Sequence, residues 1–334
     1  MPDTFPLGKL PHELLASLLG SYPVRDPRVI LGPRPGEDAA VIDLGDTYLI
    51  AKTDPITFAT DEIGWYAVHV NANDIAATGG TPAWFLATIL LPENLADAEM
   101  AKTILDQIHA ACDDLNVTLV GGHTEITYGI DRPIVTGVML GLAEKDKLVL
   151  TGGAQPGDRL IVTKGVPVEA TAIIAREKRE ELLDEFSEEF LARCAAYLHD
   201  PGISVVKDAA IATAAGRIHA MHDPTEGGLA TGIWEMAEAS GVKMSVDLSD
   251  VIISDAAKLC EAVGLHPPAA IASGALLMAC HPDDAESIQS ALEKEGIPAF
   301  DIGYAEVGEP AVVIAESGDI LPRPSRDEIA RLFE

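Results

Sequence analysis

The sequence predicts a two-domain α/β (α+β) protein, and three observations predict it. The chain has 334 residues, beyond the roughly 250–300 at which a single hydrophobic core stops growing. Strand-like and helix-like segments alternate through both halves. A stretch punctuated by Gly and Pro, TGGAQPGDR at 151–159, separates the two series and places one domain at 1–153 and the other at 154–334.

Each element follows from local pattern. Residues 10–20 read as a helix closed by Gly20, and 21–37 are rich in Pro and Gly and read as loop. AAVIDLGDTYLIAKTD, 39–54, predicts two short strands around a turn at Gly45-Asp46. From Ile63 to Thr78 the pattern is helical. WFLATILL at 84–91 predicts a buried strand, 97–114 an amphipathic helix, and 117–120 and 134–142 two further strands. RLIVTK opens the second domain as a strand, and 166–199 is helical, with an acidic middle that fits a solvated face. Later strands are expected at 217–221, 243–247, 274–280 and 311–315, with helices between them.

Apolar content of 48% with 23% charged residues is ordinary for a soluble globular chain. No apolar run approaches the roughly 20 residues that span a bilayer. MPDTFPLGKLPHELL has no basic region followed by an apolar stretch, so no secretory signal is expected and the cytoplasm is the expected location. Cys112, Cys194, Cys260 and Cys280 are scattered without a C-x-x-C pair, which argues against a zinc ribbon or a disulfide framework and for four buried thiols. Lys and Arg number 23 against 53 Asp and Glu, a net charge of −30. Such a surface repels nucleic acid and anionic lipid, so neither is an expected partner. It repels free ATP as well, so a nucleotide site here has to hold its own cations, by way of carboxylates. Solubility alone explains most of the acidity.

Several segments suit that chemistry. A hairpin centred near Gly45-Asp46 would set Asp38 of GEDAA opposite Asp54 of KTD. Facing like charges destabilise a strand pair unless a cation sits between them, and hard divalent ions prefer carboxylate oxygens. Either Asp alone reads as an ordinary turn residue. On the helix from Ile63, Asn71, Asp74 and Thr78 share one face at i, i+3 and i+7. A polar stripe on an apolar helix needs partners, whether a ligand or another domain. In LVGGHTEI, 119–126, a buried strand running into Gly121-Gly122 would expose backbone N–H groups to phosphate. His123 fits a general base, a phosphate donor, a metal ligand or a plain structural residue.

HDPTEGGLATGIWEMAEASG, 222–241, fits a helix start with Asp223 as N-cap, Pro224 first and Glu226 third. Capping explains Asp223 and Glu226 but not Gly227-Gly228, which cost roughly 0.8–1 kcal/mol each in a first turn. Close approach of an anion to the backbone would explain them. There is no P-loop, G-x-G-x-x-G, G-x-S-x-G or H-E-x-x-H.

Taken together, GEDAA, KTD, NANDIAATGGTP, GGHTE, PGDRLIVTKG, HDPTEGGLA and ASGALLMA resemble, in order and spacing, the superfamily of aminoimidazole ribonucleotide (AIR) synthetase, thiamine-monophosphate kinase, selenophosphate synthetase and HypE, from about residue 8 to residue 315. The resemblance implies a PurM-like N-terminal domain forming a β-barrel across a homodimer and a C-terminal α/β sandwich. It implies Mg-ATP as cofactor and phosphorylation of a substrate oxygen.

On the matching positions, Asp38, Asp54 and Asp74 would hold Mg2+. Asn71, Gly121 and Gly122 would lie on the nucleotide side. Asp223, Thr225, Glu226 and Gly227 would be the second domain's contribution. His123 and Glu226 are the candidate catalytic groups, and Lys164 is a candidate to neutralise phosphate. The motifs look most similar to HypE, whose tail usually ends P-R-x-C. Here Leu321-Pro322-Arg323-Pro324-Ser325 runs on to Glu334, and no cysteine follows Cys280. A serine cannot carry thiocarbamate chemistry. Glu226 stands where HypE commonly has Arg, and His123 where the relatives have an acid. The substrate expected is a small molecule or carbamoyl-type group, with a maturation-type protein as a further partner. The alternatives are a thiamine-monophosphate-kinase-like enzyme, a non-catalytic nucleotide-binding assembly protein, and an acidic protein whose carboxylates are only caps and turns.

Overall fold

The computed structural model describes residues 5, 8, 10–34, 36, 37, 39–57, 59 and 61–333. They divide into two compact units, one of 26–32 with 38–148 and one of 1–25 with 33–37 and 149–334. The division at Val149 falls beside the Gly/Pro stretch, and α1 (His12–Gly20) groups with the second unit. Among the described residues no helix is long and apolar enough to cross a membrane.

The first unit runs β1 (Val29–Leu31), β2 (Ala40–Asp43), β3 (Thr47–Ile56), α2 (Ile63–Ala77), β4 (Thr81–Pro92), α3 (Ala98–Asp114), β5 (Thr118–Thr127) and β6 (Ile134–Glu144). Its sheet has the order β1-β2-β3-β6-β4-β5, antiparallel except for β4 and β5, which α3 connects as a parallel pair. In β6, Val135, Gly137, Met139, Gly141 and Ala143 share one face by strand alternation, and α2 lies on that face. The glycines set how close the helix comes. A Cβ at Gly137 would lie 2.5 Å from Asn71 Nδ2, and one at Gly141 would lie 2.2 Å from Ile75 Cγ2. With α3 against its other side, α2 is buried over nearly its whole length. That enclosure is why its apolar residues run all round it rather than in a stripe.

The second unit continues β7 (Arg159–Thr163), α4 (Val168–Glu177), α5 (Arg179–Leu182), α6 (Glu188–Ala195), α7 (Val206–Ala215), β8 (Ile218–His222), α8 (Gly228–Ser240), β9 (Lys243–Val246), α9 (Ser254–Ala262), β10 (Leu277–Cys280), α10 (Ala285–Lys294), β11 (Ala299–Glu306) and β12 (Ala311–Ile314). Its sheet has the order β12-β9-β11-β7-β10-β8. Leu160, Val162, Met244 and Leu277 pack against Leu229, Ile233 and Met236 of α8 in one apolar core. The chain after β12 is fastened to this unit. Trp234 Nε1 donates to Leu321 O at 3.0 Å, Arg323 pairs with Glu238, and Ile329 and Ala330 are fully buried.

Three expectations change. β1 lies inside the stretch read as loop. β11 was not expected: a register shift between Asp301 and Gly303 breaks the alternation by which such a strand is recognised. The region 166–199 is helical as expected, as three α-helices. β5 extends well past 120, so Gly121 and Gly122 lie within a strand, and that strand is an exposed edge rather than a buried one. All four cysteines are buried, and burial pushes their thiols up to about 11 (Cys112, Cys194) and about 12 (Cys260, Cys280).

Candidate functional site

In the first unit, alternation along β3 turns Ile50, Lys52, Asp54 and Ile56 toward α2, because their cross-strand partners Gly141, Met139, Gly137 and Val135 face it. The helix then supplies Asp74. Lys52 Nζ stands 3.2 Å from Asp54 Oδ2 and 3.0 Å from Asp74 Oδ1. The Asp74 side chain is 3% exposed and that of Asp54 35%. So the cluster is closed on the helix side and open on the strand side.

Asn71 fixes this geometry. Its Oδ1 accepts from the Asp54 N–H at 2.8 Å, and its Nδ2 donates to Ala67 O at 2.8 Å and Asp54 O at 3.3 Å. Its amide is therefore engaged with backbone, and it fixes the backbone of Asp54. Thr78 Oγ1 donates to Ile75 O in its own helix.

The expected opposition of Asp38 and Asp54 falls outside the described residues. β2 pairs with β3 from Ala40↔Ala51 to Asp43↔Tyr48, and the residue across from Asp54 is Gly137 of β6. Asp38 lies outside the described residues. Among those residues no three His, Cys, Asp or Glu side chains converge closely enough to cage a metal ion. The two-carboxylate set nonetheless suits a hard cation. Its oxygens already converge on one, the lysine ammonium, and carboxylate oxygen is the donor that Mg2+ takes.

On β5, His123 Nε2 and Glu125 Oε2 share a hydrogen bond of 2.9 Å on the exposed edge. His123 also lines, with Gly121, Gly122 and Ile89, a groove of about 460 Å³.

In the second unit, helix α8 starts at Gly228, not after Asp223. The capping pattern is therefore not what the chain uses. Gly227 is the N-cap in the left-handed region, and Gly228 N donates to Thr225 O at 3.0 Å. Both glycines have positive φ, and a Cβ on Gly228 would lie 2.5 Å from Pro268 O. Close backbone approach explains Gly228, where the approaching group is the chain's own 267–270 turn, whereas a Cβ on Gly227 would meet Thr231 of the same helix. The anion expected at Gly227 is also internal. Asp327 accepts from the N–H of Gly227, from Ile271 N at 3.3 Å and from Ile329 N at 2.7 Å.

Asp223, no longer a cap, is buried at the end of β8 beside His222, whose Nε2 pairs with Glu235 Oε2 at 3.0 Å. Thr225 and Glu226 are half-buried in the loop that follows.

Two acids here escaped the sequence reading. Burial pushes Glu169 up to about 7, aided by the charges of Asp327 and Glu226 and opposed by Ser273. Burial also pushes Asp327 up to about 6 against its three N–H donors. Lys164 faces inward. Its Nζ donates to Ser204 O at 2.5 Å, Asp208 Oδ2 at 3.0 Å and Gly274 O at 3.1 Å, so all three of its donors are engaged within the unit. Burial lowers its pKa against the pull of Asp208. In this arrangement it braces α7 against the 274 turn and has no donor left for phosphate.

Comparison with known proteins bears on both units. Residues 36–143 match the N-terminal domain, and 155–315 the C-terminal domain, of AIR synthase related protein. A putative hydrogenase expression/formation protein of Methanocaldococcus jannaschii is 28% identical over 97% of each chain. A selenide, water dikinase of Dechloromonas aromatica is 27% identical over 90% of this chain and 92% of its own. A crystal structure of the hydrogenase maturation protein HypE in complex with ATP superposes with a TM-score of 0.72 at 22% identity, over 91% of this chain and 92% of that one.

Proposed function

Since the chain belongs to the AIR synthase related proteins, we propose that it is an ATP-dependent enzyme that phosphorylates an oxygen of a small substrate or carbamoyl-type group. The observation that carries this reading is the convergence of Asp54 and Asp74, from a strand and a buried helix, on a single cation position. Mg2+ would be held there, with Asp38 as a further ligand by resemblance, and when bound would neutralise charge on the transferring phosphate.

The chain's own residues do the rest. Asn71 fixes the backbone of Asp54, and Gly137 lets α2 come close enough for Asp74 to reach the strand. His123, oriented by Glu125, moves the proton of the attacking oxygen. Glu226 is a second carboxylate suited to proton transfer, in the second unit. The exposed apolar residues Leu119, Val120 and Ile126 on β5 support a homodimer paired through that edge.

HypE-like hydrogenase maturation, with a maturation protein as partner, is favoured by the relatives. Ser325 stands where the P-R-x-C motif has its cysteine, and a serine there disfavours thiocyanate chemistry at that position. Glu226 favours a second reading, a small-molecule kinase of the thiamine-monophosphate kinase kind. Direct assay with thiamine monophosphate separates the two.

The general reading is tested by thermal denaturation with ATP, with and without Mg2+. Ligand at 100 times Kd should add about 2.7 kcal/mol of stability, only when Mg2+ is present, and Asp54→Asn or Asp74→Asn should abolish the gain. No Mg-dependent stabilisation of the wild-type protein would sink it.

A further inference from the structure

The Asp54–Asp74 pair is not vacant: a residue of the same chain supplies its cation. Lys52 is two positions before Asp54 on the same strand face, across from the fully buried Met139, and its side chain is only 18% exposed. Its ammonium bridges carboxylates from β3 and α2 at 3.2 and 3.0 Å. These are charge-assisted contacts in a half-enclosed site, where they are shorter and stronger than neutral ones. A lysine held this way gives one oxygen of each acid a cationic partner without any metal, at the position where a divalent ion would contact both.

We propose that Lys52 is the resident cation of the Asp54–Asp74 pair and competes with a divalent metal ion for it. This inference rests on the nucleotide reading above for its purpose. Metal alone has to displace an ammonium and so binds weakly. Metal arriving with a triphosphate brings anionic oxygens that give the displaced ammonium a new partner. Binding of metal and of nucleotide is therefore mutually reinforcing, since each removes a cost that opposes the other. The displaced Lys52 would then be free to pair with phosphate oxygen, which suits a surface whose net charge of −30 would otherwise repel it.

The test is a titration of the full chain with Mn2+ alone, followed by the electron paramagnetic resonance of the free ion. Lys52→Met keeps the length of the side chain and removes its charge. It should tighten Mn2+ binding by about tenfold or more, and the added change Asp74→Asn should reverse the gain. Lys52→Arg should keep the wild-type affinity. Unchanged or weaker Mn2+ binding by folded Lys52→Met overturns the proposal. If Lys52→Met does not fold in metal-free buffer, restoration of a cooperative melt by Mn2+ supports it, and aggregation at every Mn2+ concentration overturns it. The titration contains no nucleotide, so a failure of the wild-type protein to bind ATP would remove the enzymatic reading and still leave the lysine to be decided.

Discussion

The two units crowd carboxylates together and settle the repulsion by different means. In the first, Asp54 and Asp74 share a lysine ammonium held between a strand and a helix. In the second, Glu169 and Asp327 are buried among backbone N–H groups, a serine and each other, and burial drives both toward the protonated form. A carboxylate pair around a cation can trade that cation for another. A carboxylate that relies on a proton and on fixed N–H donors cannot; it responds to pH and to the integrity of the backbone around it. The first set thus suits exchange with ligands, and the second suits holding a loop in place.

The comparison is broken most severely at Asp327. Asp327→Ala leaves the N–H groups of Gly227, Ile271 and Ile329 without their acceptor, and should cost about 3–5 kcal/mol at neutral pH in urea denaturation. A loss under about 1 kcal/mol would mean that the tail is not what holds the loop.

Next in size is Gly137→Ala. Its methyl would meet Asn71 Nδ2 at 2.5 Å and Phe85 Cε2 at 2.7 Å. Lifting α2 should cost about 2 kcal/mol and should weaken Mg-ATP binding as well, by separating Asp74 from Asp54. Stability and affinity measured on the same preparation would show whether the two losses travel together.

The smallest effect sharpens the contrast through pH. Glu169 is raised from 4.5 to about 7 in the folded chain. Between those values the folded state therefore binds a proton that the unfolded state has released. Its contribution to stability is fully present below about 4.5 and is lost as pH rises through about 7. Glu169→Gln cannot ionise, so it should stabilise the protein on the order of 2 kcal/mol at pH 8 and little at pH 4.5. Melting curves across that range would check it, and an equal effect at both ends would refute it.

Much of this was legible in the sequence, where the signal is local. The run from Ile63 to Thr78 gave α2 to within a residue of Ile63–Ala77, and Asp97 caps α3 through the N–H of Met100 as helix-start chemistry dictates. Asp54 was singled out by the expected strand pair and Asp74 by a polar stripe on an otherwise apolar helix. What stayed hidden depends on distant contacts. Lys52 was visible as the first residue of KTD, but its bond to Asp74 exists only once α2 is seated on β6. Asp327 reaches a loop 100 residues earlier in the chain. The D-P-T-E pattern misled because its local capping logic is sound. What overrides it is Pro268 O pressing on Gly228, a contact with no trace in the segment itself. Lys164 followed a strand as expected, yet its donors were claimed by Ser204, Asp208 and Gly274 from elsewhere in the unit.

Three amide hydrogens converge on one carboxylate near the end of the chain. Together they close a noncovalent ring around most of the second unit's later half. A ring has no privileged breaking point, so proline at 271, which removes one of the N–H donors, and loss of the Asp327 carboxylate should behave as one lesion. Once either is made, the other adds little, and their energies will not sum. Surveys of single side-chain variants would then see the clasp chiefly at 327, although it is tied at three points of the backbone.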